Sequence, residues 1–453
     1  MDSDGEGAFQ VILVGTGLTE SITAAALAKA GVKVAHIDQN PYYGAREASL
    51  SFEELIQWQT SPRPGFSSFS RSGDLIEQPR AYSISLAPSL IPSNGPLIDA
   101  LVASGVSRYG GFRLIERVCV YTPSGTIKAV PGSKEDIFKN KDISLVDKRR
   151  LMRFLMFAAD DFEGKKELEG SRRFSISRVP SDYPTLPALH RLRRYLRSAG
   201  RYGASPFLIG HYGSAGEIAQ GFCRTAAVSG AVYVLGRDIE SITHSESSHV
   251  LRLADFPEPL SCSLLISSQS SPNSDASDEP PRPLDTAVIV FPPSSLSPGG
   301  STTVSATALL TGEGTMSCPR GKWILYLALP LPDAEGSPDP RTLLAPYLDA
   351  VLALGSDADG PPTPLFSTFY LQHPSSTAEP TPTAGTTLEI APPHIAPSSL
   401  PPVLPLPDMG DAAAVHAEAV FRAALAVLGI DDEDEHQDDE ARWQEFLASD
   451  GNA

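Results

Sequence analysis

Gly15, Gly17, Glu20 and Asp38 are the residues whose types and spacing point most directly to chemistry. The run Gly15-Thr16-Gly17-Leu18-Thr19-Glu20 follows a strand-like segment at 10–14. It is a G-x-G-x-x-G phosphate-binding fingerprint with glutamate in place of the last glycine. In the intact motif the glycines let backbone approach a pyrophosphate, which sits on the positive end of a helix. An acid about 20 residues on, here Asp38, would take the ribose. Glu20 falls in the first turn of the expected helix, where its carboxylate satisfies the dipole from within the chain and competes with phosphate. The fingerprint predicts the fold of a dinucleotide site, with neither FAD nor NAD expected in it.

No second set of residues offers a reaction. The sequence has no Walker A run, no H-E-x-x-H, no G-x-S-x-G and no histidine pair at metal-ligand spacing. Its 9 histidines are scattered, so no metal and no catalytic residue is assigned. A redox-type fold without a catalytic set points toward binding.

The elements that would position these residues can be read in order. A strand at 10–14, an alanine-rich helix ending at Ala30 with Gly31 as its stop, and a strand at 33–38 make a Rossmann-type βαβ unit. Residues 51–54 open another helix, and the Ser/Pro/Gly-rich stretch 59–80 predicts loop. A short helix is expected at 96–104, then strands at 112–121 and 126–130 around a turn at Pro123-Ser124-Gly125. Ser144 and Asp147 make a capping-box start for a helix running to about Phe162. That helix is apolar nearly all round, which predicts either a core sandwiched between elements or one wall of an apolar groove. A basic amphipathic helix follows at 188–198, then strands at 207–209 and 232–235.

With 453 residues the chain can hold two domains and a sizeable core. Its formal net charge of −18 argues against nucleic acid and against unaided binding to anionic membranes. Cys119, Cys223, Cys262 and Cys318 form no C-x-x-C and no apolar signal segment opens the chain, so a reducing cytosol is expected. No apolar run reaches the roughly 18 residues of a membrane span. The reading divides the chain into a large domain over 1–140, a small helical domain over 141–200, and the large domain again over 201–266. A disordered insert at 267–302 follows, then the large domain at 303–355 with a buried strand at 322–327. A Pro/Ser-rich region at 356–408, a C-terminal helix at 409–430 and an acidic tail at 431–453 complete it. The tail reads as a solvated end or as an electrostatic lure for a basic partner.

Three blocks together carry a family resemblance. The fingerprint followed by Asp38-Gln39-Asn40-Pro41-Tyr42-Tyr43-Gly44, the segment 200–224 with Gly216-Glu217-Ile218-Ala219-Gln220-Gly221-Phe222-Cys223-Arg224, and Val106-Ser107-Arg108-Tyr109 resemble the Rab GDP-dissociation inhibitor and Rab escort protein superfamily. Residues 48–52 with Trp58, 148–155, and Thr315-Met316-Ser317-Cys318 ahead of Gly321-Lys322 resemble its escort branch more than its inhibitors. The resemblance implies an α/β fold: an FAD-monooxygenase-like large domain beside a small helical domain, without flavin. It implies a non-catalytic accessory component that binds GDP-loaded Rab GTPases, presents them to the Rab geranylgeranyltransferase α/β heterodimer, and carries the geranylgeranyl product to membranes. A cytosolic protein with transient membrane contact is implied too. Carried onto this sequence, the Rab-binding platform is Tyr43, Glu217, Gln220 and Arg224, though Glu217 and Arg224 also suit an internal ion pair. The grip on the Rab C-terminal tail is Leu97, Ile98, Leu101 and Val102, residues that equally suit plain core packing. A lipid groove would use Leu151, Phe154, Leu155 and Phe157. The family has more helices than the about 34 residues between Phe162 and Leu196 allow, so the helical domain is truncated. Alternatives are a cycling inhibitor and, further off, a flavin-dependent oxidoreductase on the same fold.

Overall fold

The computed structural model describes residues 8–60, 66–73, 76–131, 134–140, 144–163, 185–244, 248–268, 286–296, 300–301, 305–329, 331, 339–356, 360–372, 382–383, 387–390, 406–430 and 443. The fingerprint region folds as a βαβ unit: β1 (Ala8–Val14), α1 (Leu18–Lys29) and β2 (Val34–Asp38), with β1 and β2 parallel. Val11, Ile12 and Leu13 are fully buried, as a strand covered on both faces must be. Gly31 at φ +82° supplies the left-handed turn by which the chain leaves α1.

The main sheet adds β3 (Val232–Leu235), β4 (Ile239–His244), β5 (His249–Leu253), β6 (Leu260–Ser268) and β7 (Thr387–Ile390), in the order β3-β2-β1-β6-β5-β4. One edge of β6 pairs with β1. Its other edge is shared, antiparallel β5 at Leu260–Cys262 and parallel β7 at Leu265–Ser268. Four further sheets are present among the described residues, the smallest pairing Ser49–Leu50 antiparallel with Ile84–Ser85. A five-stranded sheet has the order Trp323–Ala328, Ala306–Gly312, Thr286–Phe291, Arg117–Tyr121 and Ile127–Ala129. A three-stranded sheet joins Ile91–Pro92, Phe207–Gly210 and Phe112–Leu114, and Phe66–Gly73 pairs antiparallel with Phe366–Gln372.

The remaining helices are α2 (Phe52–Thr60), α3 (Pro96–Ala103), α4 (Lys134–Lys139), α5 (Leu145–Ala159), α6 (Thr185–Ser198), α7 (Ala215–Val228), α8 (Pro340–Leu354) and α9 (Leu406–Leu428). The largest core packs α1 against α7 and α9 over the main sheet, through Leu18, Ile22, Leu27, Phe222, Val420 and Phe421, with α3 against α9. α1 therefore has apolar neighbours on every side, which is why its sequence shows no polar face.

The structure corrects several sequence expectations. Within the predicted loop 59–80, Phe66–Gly73 is a strand whose serines hid the alternation. The single strand expected at 112–121 is two, Phe112–Leu114 and Arg117–Tyr121, which belong to different sheets. The insert expected to be disordered contains Thr286–Phe291, and the Pro/Ser-rich region contains Phe366–Gln372 and β7. The strand at Trp323–Ala328 is an edge strand with only Leu325 buried. Trp443 packs on Phe421 with ring centroids 5.3 Å apart, while the rest of the acidic tail lies outside the described residues.

Among the described residues α5 is not sandwiched. Ser144 accepts from the Asp147 N–H at 3.2 Å and caps it as expected. Only Lys148 and Ala158 are buried along it, while Leu145 and Met156 are 72% and 63% exposed. Among the described residues it packs on α6, through Phe154, Phe157, Phe162, Leu189, Leu192 and Leu196, and Lys148 Nζ donates to Phe138 O of α4 at 2.7 Å. Residues 164–184 between them lie outside the described residues.

Candidate functional site

The old nucleotide turn is tied up by the chain itself. Gly15 bends away from β1 at φ +99°. Asp38 Oδ2 accepts from Thr16 N at 2.8 Å and Thr16 Oγ1 at 2.6 Å. Asp38 Oδ1 accepts from Asn40 N at 2.8 Å and Asn40 Nδ2 at 2.9 Å. The acid that sequence reasoning set beside a ribose thus closes the turn on its own backbone. Two carboxylates stand at the N-terminus of α1. A Cβ added to Gly17 would lie 2.5 Å from Glu20 Oε2 and 3.0 Å from Glu47 Oε2, and the Leu18 N–H donates to Glu47 Oε2 at 3.4 Å. An anion brought to this helix end meets negative charge on two sides. Glu47 was missed in the sequence because nothing near it marks a cap.

Beneath the turn, buried His36 shares a hydrogen bond between Nε2 and the Gly15 carbonyl. Burial lowers its pKa to about 4, so the ring is neutral at physiological pH. Its ring centroid lies 5.0 Å from that of Tyr233, which meets Tyr43 edge-on at 5.9 Å. Cys223 nearby touches Ser21 Oγ at 3.2 Å, and burial pushes its thiol up to about 11, an inert structural cysteine.

Glu217, Gln220 and Arg224 sit at i, i+3 and i+7 on α7, hence on one face. The opposite face, with Ile218, Ala219, Phe222, Cys223 and Ala226, is buried against α1. Glu217 is half-buried, and desolvation raises its pKa, while Gln220 and Arg224 are exposed. Among the described residues Glu217 and Arg224 form no ion pair with each other. The Arg224 guanidinium instead lies 4.6 Å over the exposed ring of Tyr109, a contact worth about 0.5–1 kcal/mol. A Cβ on Gly221 would meet Val106 Cγ1 at 2.6 Å, so a missing side chain lets the 106–108 turn press on α7 and bring Tyr109 into place. Tyr109 belongs beside the predicted four.

Two more glycines bring Tyr43 there. Gly44, at φ +97°, would place a Cβ 3.1 Å from Gly216 Cα, and a Cβ on Gly216 would lie 2.7 Å from Ser49 N and 2.8 Å from Glu47 O. Backbone meets backbone, and the turn after Tyr43 rests on the first turn of α7, which carries Glu217. The structure therefore sets the Tyr43 turn against the start of the helix that carries Glu217, Gln220 and Arg224 on one face. Their chemistry is that of a docking surface: an aromatic rim, a carboxylate, an amide and a guanidinium.

The other predicted groups are placed differently. Leu97, Ile98 and Leu101 are buried in the main core, and only Val102, 54% exposed, offers apolar surface. α3 is pinned there because Asp411 of α9 accepts from the Leu97 N–H at 3.1 Å. In the expected lipid groove, Phe154 and Phe157 pack on α6, while Leu151 and Leu155 are half-exposed.

A protein-family model described as GDP dissociation inhibitor matches residues 1–176 and 180–273. Rab proteins geranylgeranyltransferase component A of Saccharomyces cerevisiae is 29% identical over 378 residues, covering 70% of this chain and 61% of that protein. Rab GDP dissociation inhibitor beta of Rattus norvegicus is 32% identical over 263 residues, covering 52% of this chain and 57% of that protein. The chain thus spans about three fifths of the length of these relatives. The crystal structure of Rab GDI from Plasmodium falciparum superposes with a TM-score of 0.65 at 18% identity, covering 92% of this chain and 98% of that one. That likeness bears on the fold.

Proposed function

From the premise that the chain belongs to the GDP dissociation inhibitor family, we propose that it is a Rab escort protein. In this reading it binds GDP-loaded Rab GTPases through α7 and the Tyr43 turn. It then presents them to Rab geranylgeranyltransferase and delivers the lipidated product to membranes. The observation that carries the reading is the assembled face of Tyr43, Glu217, Gln220 and Arg224, with Tyr109 under the arginine. Escort is favoured over inhibition because the match to the yeast component A spans 70% of the chain, against 52% for the rat inhibitor.

The role is accessory and non-catalytic in this proposal, and no FAD is involved. The residues at the start of α1 do not fit a flavin pyrophosphate: Glu20 and Glu47 hold the phosphate position, and Asp38 is spent on Thr16 and Asn40. Among the described residues no helix is long and apolar enough to cross a membrane, which suits a cytosolic carrier with brief membrane contact. Lipid would be shielded along α5, whose Leu145 and Met156 are exposed.

Prenylation reconstituted from the purified transferase subunits, a GDP-loaded Rab and this chain tests the proposal. Lipid transfer that depends on the chain is expected, with GDP-Rab retained in pull-downs far better than GTP-Rab. Equal retention of both nucleotide forms, or of neither, would reject Rab recognition. Retention without stimulated transfer would leave the inhibitor reading.

A further inference from the structure

Glu47 touches both sides of the candidate site. Its carboxylate accepts the Leu18 N–H at the start of α1, and its carbonyl lies 2.8 Å from where a Cβ on Gly216 would stand, at the start of α7. Between these contacts runs the turn that follows Tyr43. Gly44 takes φ +97° without cost, but the next residue, Ala45, carries a Cβ at φ +42° and is strained. Such a conformation persists only where its surroundings hold it. At one end the Gly44 N–H donates to Thr16 O at 3.0 Å and to Thr16 Oγ1 at 3.1 Å. At the other, the Glu47 N–H closes the 3-10 turn on Gly44 O at 2.7 Å, and the Glu47 side chain reaches α1.

We propose that Glu47 is a positioning residue for Rab recognition: a built-in hydrogen-bond acceptor on the vacated phosphate seat that fixes the Tyr43 turn against the α7 face. The inference rests on the proposed Rab reading for its functional half alone. A carboxylate at a helix N-terminus does there what a phosphate does, with the difference that it is covalently part of the binding surface. The damaged fingerprint is then more than a lost cofactor site. The Leu18 N–H at its helix start is taken by Glu47 and so orients a binding residue.

Two measurements on Glu47→Ala, Glu47→Gln and Tyr43→Ala decide it. Hydrogen exchange read without any partner is expected to speed up for the Leu18 and Gly44–Ala48 amides in Glu47→Ala. It should be largely restored in Glu47→Gln, whose amide oxygen still accepts. Titration with GDP-loaded Rab is expected to show about tenfold weaker binding for Glu47→Ala and a smaller loss for Glu47→Gln. On a Tyr43→Ala background, Glu47→Ala should cost almost nothing further, because it acts through that tyrosine. Unchanged exchange, equal losses in both backgrounds, or no rescue by glutamine would each overturn the proposal. If the unaltered chain fails to bind GDP-Rab, the Rab reading falls by itself, and faster exchange in Glu47→Ala would still leave the strut standing.

Discussion

Asp411 joins three helices and sets a pH dependence of known sign. It is buried on α9, with Oδ1 accepting from Leu97 N of α3 at 3.1 Å and Oδ2 accepting from Arg194 of α6 at 3.1 Å. Burial raises its pKa from 3.8 to about 6, against the pull of the Leu97 N–H and Arg194 and with a push from Asp99. Because the folded pKa lies above the unfolded one, the native state holds a proton between pH 4 and 6 that the unfolded chain has released. Its stabilising contribution is complete below about pH 4, falls as the pH rises through about 6, and is level above that. A shift of about two units corresponds to roughly 3 kcal/mol. Asp411→Asn removes the titration and keeps an acceptor for Leu97. Urea unfolding of both proteins at pH 4, 5, 6 and 7 should show the unaltered chain losing ground to the variant by roughly 2–2.5 kcal/mol from pH 4 to 7. A pH-independent difference, or one that grows in favour of aspartate, would refute the reasoning by showing that the Arg194 pair outweighs burial.

Three further outcomes follow from named contacts. Gly216→Ala should weaken GDP-Rab binding about tenfold in a titration, although alanine is the better helix former, because its Cβ meets Ser49 N and Glu47 O. Phe222→Ala opens a void between α7 and α1 and should cost about 3–5 kcal/mol in denaturant melts. Ser144→Ala removes the α5 cap and should destabilise that helix by about 1 kcal/mol, read as faster amide exchange over its first turn.

The βαβ unit was legible because glycines, an apolar strand and a helix stop all agree within 8–38. The α7 face was legible through spacing: 217, 220 and 224 align on any helix. What could not be read depends on neighbours distant in sequence. The serines of Phe66–Gly73 form a strand only because Phe366–Gln372 pairs with them. Thr286–Phe291 carried its own β-branched signal but was overruled by the Ser/Pro composition around it. Leu97 and Leu101 looked equally suited to a tail grip or a core, and α9, supplied by the far end of the chain, decided for the core. Tyr109 stood in a quoted block, yet its role needed the arginine two helical turns beyond Glu217 to be seen above it.

The cover that α9 gives α1 has a consequence for how the protein is made. α1 leaves the ribosome well ahead of α9, and the helix that shields Ile22 and its neighbours is completed about 400 residues later. At ordinary translation rates that interval is roughly 20–80 s, during which an alanine-rich helix made to be buried has only part of its packing. A fragment cut at residue 273, where the family match ends, would keep that exposure permanently and should aggregate instead of folding.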